Sequence, residues 1–313
     1  MTGLTNTTPP VVAPGELLAV ALEAAQAGAA VVRDAAPRVR SIAWQTKRPA
    51  DFVSEVDLAA EAAVLGVVRQ LAPHAAILAE ESGSHDGLAG QGNDGTAASA
   101  GLAPAGLAPA GLAPAAALGA RPAVMFVVDP LDGTTNFLHG YPEYAVSVGV
   151  LVDGVPVAGV IIDVALGETF TAATGSGAFV NGSRIQVSPI DDPGRALIGT
   201  GFPFTRMEDI DPYTLQLARI MRGAAGVRRA GAAALDLAAV AAGRFEAFWE
   251  TVLSPWDIAA GLVLVREAGG VVTDLTGAPC QVARTGIVAG NPAVHAWLLG
   301  EIAKGNDGPA DYG

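Results

Sequence analysis

Apolar residues recur at helical spacing near the start of the chain. Leu17, Val20, Ala21 and Ala24 share one face of a segment predicted as a helix over 16–35, and a second helix is predicted over 55–71. Short apolar runs bounded by turn residues follow near Ile77, Val124, Val146 and Val157 and read as strands. Asp153-Gly154 suits a tight hairpin turn between the last two, residues 167–180 continue as sheet, and Asn181-Gly182 marks another such turn. Beyond Pro189 the rhythm changes. Strands are predicted over 196–200 and 245–250, with helices over 213–221, 232–242, 257–268 and 292–302. The chain therefore reads as a mixed α+β / α/β protein.

One stretch breaks this alternation. Residues 84–120 are rich in Gly, Ala, Pro and Ser, and Ala-Gly-Leu-Ala-Pro occurs three times in tandem over 100–114. A proline in every repeat blocks both helix and ladder, and the few bulky side chains offset little ordering entropy. The insert is expected to be disordered, with a mobile flap over a neighbouring cleft as the functional alternative.

Composition narrows the class. At 313 residues and 51% hydrophobic, the chain can bury one large core or two modest ones. Its net charge of -13 argues against a grip on nucleic-acid phosphates, which needs a basic stripe. A single Cys280 cannot form an intrachain disulfide, and no Cys/His spacing suggests zinc. Residues 1–14 lack a basic start, and Glu16, Glu23 and Gln26 interrupt the apolar stretch that follows. The expectation is a cytoplasmic chain with no signal peptide and no membrane span.

The chemistry concentrates at 128–137, Val-Asp-Pro-Leu-Asp-Gly-Thr-Thr-Asn-Phe. The apolar run 123–128 suits a buried strand that delivers Asp129 to its carboxyl end, with Pro130 fixing a turn. The Leu131 carbonyl then becomes a third oxygen beside Asp129 and Asp132, and an all-oxygen set selects Mg2+, Mn2+ or Ca2+ over zinc. Gly133, Thr134 and Thr135 offer N–H groups and hydroxyls to a phosphate. A second apolar strand ends in Glu80-Glu81, and Asp257 opens the helix after Pro255, where it reads either as a helix cap or as a further ligand. Glu80, Asp129, Asp132 and Asp257 cannot share a pocket without divalent cations to offset their repulsion.

These residues resemble the inositol monophosphatase family in its bacterial form. Residues 127–137 with His139 match one family motif, and 256–261 continuing through 267–270 match the other. The blocks 51–57, 79–82, 199–204 and 228–236 also match, so the likeness runs from about Gly15 to about Ile302. It implies a layered αβαβα sandwich with a metal cleft between an N-terminal α+β half, 15–188, and a C-terminal α/β half, 189–304, flanked by flexible ends at 1–14 and 305–313.

It also implies two to three Mg2+ ions, or Mn2+ in their place. Glu80 binds the first and, with Thr134, activates water; Asp129 bridges, the Leu131 carbonyl completes the first site, and Asp132 with Asp257 holds the second. Phosphate rests on Gly133, Thr134 and Thr135. Ala233 and Glu250 contact the alcohol, with an exposed strand-end acid as the other reading of Glu250. Lys47 resembles a loop lysine near the metals, or is simply solvated. Asp57 supports the cluster or starts a helix. Many relatives carry Ser or Thr where this chain has Ala232. The expected reaction is lithium-sensitive hydrolysis of myo-inositol 1-phosphate or another polyol phosphate, with histidinol phosphate, fructose 1,6-bisphosphate and 3′-phosphoadenosine phosphate as alternatives. A homodimer is implied, and some bacterial relatives also bind the transcription machinery.

Overall fold

The computed structural model describes residues 13–48, 51–87, 123–204 and 206–304. Helices α1 (Pro14–Ala35) and α2 (Glu55–Leu71) lie side by side, joined along the chain by a hairpin of β1 (Trp44–Arg48) and β2 (Asp51–Ser54). By length and composition 14–41 could cross a membrane. Here Leu17, Ala21, Ala24, Ala25, Ala29 and Val32 bury their side chains in the core shared with α2 and the adjoining sheet.

That sheet contains β3 (Ala76–Ala79), β4 (Gly83–His85), β5 (Val124–Asp132), β6 (Ala145–Val152), β7 (Val155–Asp163), β8 (Glu168–Ala173), β9 (Gly177–Val180) and β10 (Ser183–Ile185). Its order is β10-β9-β8-β7-β6-β5-β3-β4, with β3 and β5 parallel and the other pairs antiparallel. Helix α3 (Thr134–His139) follows β5 directly. The two predicted hairpin turns are present: Asp153 and Asn181 both have positive φ, each followed by a positive-φ glycine.

The remaining chain forms a second sheet and four helices. Its elements are β11 (Leu197–Thr200), α4 (Ile210–Gly223), β12 (Gly226–Arg228), α5 (Ala233–Ala241), β13 (Ala247–Leu253), α6 (Pro255–Glu267), β14 (Val271–Thr273), β15 (Thr285–Gly290) and α7 (Pro292–Ala303). The strand order is β12-β11-β13-β15-β14. Period-two alternation assigns each sheet two buried faces. On β5, Phe126 and Val128 join the core of α1 and α2, whereas Val127 meets Ala259 of α6. On β13, Phe248 joins α5 and α6, whereas Ala247 and Trp249 pack with Tyr213 and Ile220 of α4 and with Val294 and Leu298 of α7. The layers therefore run helix, sheet, helix, sheet, helix, the αβαβα sandwich expected.

Three local readings change. The polar hairpin β1–β2 is a paired element, so Lys47 sits on a strand. Ser84 and His85, assigned by composition to the insert, pair with Leu78 and Ile77 as β4; residues 88–120 of the insert lie outside the described residues. Pro130 does not end its strand. β5 runs on to Asp132 through a register shift against β6 between Asp129 and Asp132.

The middle layer sits close because two strand glycines admit it. A Cβ on Gly149 would fall 2.5 Å from Ala259 Cβ, and one on Gly159 would fall 2.5 Å from the Ala260 carbonyl oxygen. Either methyl must push α6 off the sheet, and α6 carries Asp257 in its first turn. Gly159→Ala is expected to cost about 1–3 kcal/mol, visible as a fall of several degrees in melting temperature; an unchanged melting temperature would show that the helix does not depend on this contact.

Candidate active site

At the end of β5 the backbone folds tightly upon itself. Asp129 is buried at 2% exposure, and its Oδ1 accepts the Leu131 N–H at 3.1 Å. The Leu131 carbonyl, expected to face outward, accepts the Thr134 hydroxyl at 2.9 Å. Gly133 then turns the chain with φ of +84°, and a Cβ there would lie 2.7 Å from the Glu143 carbonyl, so both conformation and space demand glycine. Asn136 fixes the following turn by donating to the carbonyls of Glu143 at 2.8 Å and Ala230 at 3.0 Å.

Two helices present acids through the same device. Ser54 and Asp57 form a capping box at the start of α2, as Ser254 and Asp257 do at the start of α6. Asp57 Oδ2 accepts the Ser54 N–H at 2.8 Å, which leaves Oδ1 to accept the Thr134 hydroxyl at 2.9 Å. Thr134 has one hydroxyl proton for two acceptors, Asp57 and Leu131, and serves them in turn. Asp257 Oδ2 accepts the Ser254 N–H at 2.7 Å, while the residue lines the cleft. Asp257 thus stands at the third helical position, with both functions open to it. Asp57 both starts its helix and supports Thr134. Ser-x-x-Asp ahead of an apolar helix is the sequence signal for this arrangement, and it is present at both sites.

Glu80 has a partner that spacing could not specify. Lys47 on β1 donates to Glu80 Oε1 at 3.2 Å and also to Glu81. Behind them, Glu61 of α2 accepts the Glu81 N–H at 2.9 Å and holds the strand end in place. Burial disfavours the Lys47 charge, but Glu80 and Glu81 outweigh it and hold the ammonium above its usual range.

The predicted residues converge on adjoining pockets. Glu80, Gly133, Thr134 and Thr135 line one of about 320 Å³, together with Phe52 and Arg229. Asp132, Ala233, Glu250 and Asp257 line another of about 190 Å³, joined by Asp236. A third space, also lined by Glu80, Glu250 and Asp257, connects them. Asp129 lies beneath this cleft, against Glu80. Glu250 is an inward-facing pocket residue, which removes the exposed-acid alternative. Arg229, Asp236 and the aromatic pair Phe202 and Phe204 were not anticipated. Arg229 lies 5.3 Å from the Phe202 ring centre and 5.2 Å from that of Phe204.

Electrostatics mark this cleft as unbalanced. Desolvation first, and then Glu80, Asp132 and Asp257, push the Asp129 carboxyl well above its ordinary range. Burial likewise lifts Asp132 to about 7, although the Ala234 N–H, 2.7 Å from its Oδ2, opposes the rise. Burial raises Glu250 to about 8 against the pull of Arg229, and raises Asp257 well above the usual carboxylate range with Asp132 adding to the effect. Among the described residues, no three His, Cys, Asp or Glu side chains already converge as a closed metal-binding set. Lys47 lies on Glu80, and backbone N–H groups hold one oxygen each of Asp129, Asp132 and Asp257. The donor chemistry nevertheless fits a hard divalent cation, because crowded desolvated carboxylates gain most from one.

Comparison with known proteins agrees with this geometry. The sequence profile of the inositol monophosphatase family matches residues 14–306. The Nus factor SuhB of Pseudomonas aeruginosa is 40% identical over 91% of this chain and 95% of its own length. The inositol-1-monophosphatase of Mesorhizobium japonicum is 38% identical, covering 92% of this chain and 96% of that protein. The crystal structure of extragenic suppressor protein suhB from Bartonella henselae superposes with a TM-score of 0.78 at 36% identity, over 92% of this chain and 98% of that one. The β5–α3 turn, both capping boxes and the acid-lined cleft all fall inside the matched span, and the chain belongs to the inositol monophosphatase family.

Proposed function

We propose that the chain is a Mg2+-dependent phosphomonoesterase acting on myo-inositol 1-phosphate or a related polyol phosphate. The observation that carries this reading is the continuity of one cleft, from the N–H groups and hydroxyls of Gly133, Thr134 and Thr135, past the acids, to Ala233 and Glu250. Glu80, Asp129, Asp132, Asp257 and the Leu131 carbonyl would hold the cations, which supply positive charge that acidifies water and stabilises the departing alkoxide. The chain's residues do the rest. Thr134, donating its proton to Asp57, turns an oxygen lone pair toward the attacking water. Glu80 receives a proton from that water. The α3 entry holds the phosphoryl oxygens, and water adds to phosphorus as the ester P–O bond breaks. The ester oxygen leaves as an alkoxide and takes a proton from solvent water while Glu80 returns its proton to solvent, giving inorganic phosphate and alcohol.

A turnover panel with Mg2+, comparing myo-inositol 1-phosphate, fructose 1,6-bisphosphate, histidinol phosphate and 3′-phosphoadenosine phosphate, tests the substrate. Inositol 1-phosphate is expected to lead, with lithium inhibiting; fructose bisphosphate ahead by about tenfold would reverse the choice.

The name Nus factor carried by relatives such as that of P. aeruginosa favours a second reading, in which the folded chain also binds the transcription machinery. Asp129→Asn separates the two. It is expected to lower turnover at least about a hundredfold, while a scaffold role retains the same captured partners. Activity within about tenfold of wild type would remove Asp129 from the metal site.

Metal removal should expose the cost of the acids. Asp132 near 7 and Glu250 near 8 both titrate above the carboxylate values of an unfolded chain, roughly 4. The folded metal-free protein therefore holds more protons, so this contribution is full below the unfolded values and is lost as pH rises through 7 to 8. In chelator, melting temperature is expected to drop by at least about 5 °C between pH 6 and pH 8.5, and excess Mg2+ should shrink the drop. A chelated protein whose stability climbs over that interval would contradict the assigned acid cluster.

A further inference from the structure

Asp236 lines the cleft but has no task in the proposed chemistry. It sits in the first turn of α5, 2% exposed, and its Oδ1 is enclosed with no hydrogen-bond partner. An orphaned buried acceptor is costly, and more so when it carries charge. Burial pushes this carboxyl well above its usual range, and Glu250 and Asp132 push it further. Ala232 and Ala233, four and three residues before it on the same pocket, bring no side-chain donor. The one nearby cation, Arg229, lies over the rings of Phe202 and Phe204.

The open space beside the Asp236 carboxyl is the pocket that this residue lines. That space, about 190 Å³, also presents Glu250, Asp132 and Asp257. Asp132 and Asp257 belong to the assigned cation set, which leaves Asp236 and Glu250 facing the alcohol. A carboxyl group keeps an acceptor oxygen in either protonation state, so a ligand that brings a donor matches both acids. Hydroxyl and ammonium groups both qualify, but the Arg229 guanidinium on the same pocket disfavours a second cation. We infer that Asp236 is a specificity-determining residue that accepts a hydrogen bond from a hydroxyl of the leaving alcohol, so that Asp236 and Glu250 together select a polyol with at least two hydroxyls besides the esterified one. This inference rests on the phosphomonoesterase reading. It also offers this chain a polar contact at a place where Ala232 brings no hydroxyl.

The test compares myo-inositol 1-phosphate with cyclohexyl phosphate, a ring ester of similar shape with no free hydroxyl. Wild type is expected to favour the inositol ester, and D236A to lose about tenfold in kcat/KM on it, mainly through KM, while losing far less on cyclohexyl phosphate. D236N, which keeps a carbonyl acceptor, should recover part of the loss. D236A should melt at or above the wild-type temperature, because it removes an unpaired buried carboxyl. If D236A does not fold, D236N alone is read for the same change in preference. Equal losses on both esters, or an unaltered preference, would overturn the role of Asp236 and leave the phosphatase reading intact. A wild type that does not favour the inositol ester would overturn the polyol reading itself, and the Asp236 role with it.

Discussion

Mutual repulsion among Glu80, Asp129, Asp132 and Asp257, each largely stripped of water, is the load that the surrounding scaffold carries. Every one of these carboxylates is anchored before any substrate arrives. Backbone N–H groups of Leu131, Ala234 and Ser254 hold Asp129, Asp132 and Asp257, and Lys47 holds Glu80. Each anchor uses one side of its acid and fixes the direction of the other. Preorganisation of this kind matters because like charges would otherwise spread apart or neutralise by taking up protons, and the raised titration of Asp132 and Asp129 shows how near that outcome lies. Under the proposed function, a cation from solution would meet a site already aimed, at a cost met by the packing of the layers rather than by binding energy alone.

That packing explains why three layers of the sandwich are indispensable to one cleft. β5 and β3 of the first sheet bring Asp129, Asp132 and Glu80. α2 brings Asp57 to Thr134 from one face, and α6 brings Asp257 from the other. The capping boxes do both jobs with one residue type: aspartate at the third helical position satisfies an exposed N–H and still projects an oxygen. The close seat of α6 on Gly149 and Gly159 sets how far Asp257 stands from the β5 acids, so glycines distant from the reaction define its geometry.

Much of this was legible in the sequence, for identifiable reasons. The run 128–137 is chemically dense and local, so its strand, its glycine turn and its pocket-lining threonines could be read directly. Long helices such as α2 were legible through their period, and the Asp-Gly and Asn-Gly turns through their backbone demands. Other features were hidden because they depend on distant partners. Nothing in the polar stretch around Lys47 signals that β1 pairs with β2 and reaches Glu80. Pro130 reads locally as a turn, but the β6 ladder resumes beyond it and holds the chain in the sheet as a bulge. Asp236 reads as an ordinary acid in the first turn of a helix, a favourable place beside the helix dipole. Only the folded pocket shows that one of its oxygens has no donor.

Chemistry and selectivity come from different parts of the molecule. The first sheet and α3 supply the proposed phosphate cradle and most of the acids, whereas Glu250 rises from β13 of the second sheet, and Ala233 and Asp236 belong to α5. Asp132 ties the two together through the Ala234 N–H, which fixes the start of α5 against the end of β5. On the proposed reading, the hydrolytic centre would keep its geometry while side chains at 232, 233, 236 and 250 set which alcohol leaves. Ala232 would then offer no hydroxyl to the alcohol, and a carboxyl at 236 would add a demand on it without altering the attack on phosphorus. The price of that arrangement is a buried acid whose Oδ1 has no hydrogen-bond partner, and under the proposed role the stability given up there would return as discrimination among alcohols.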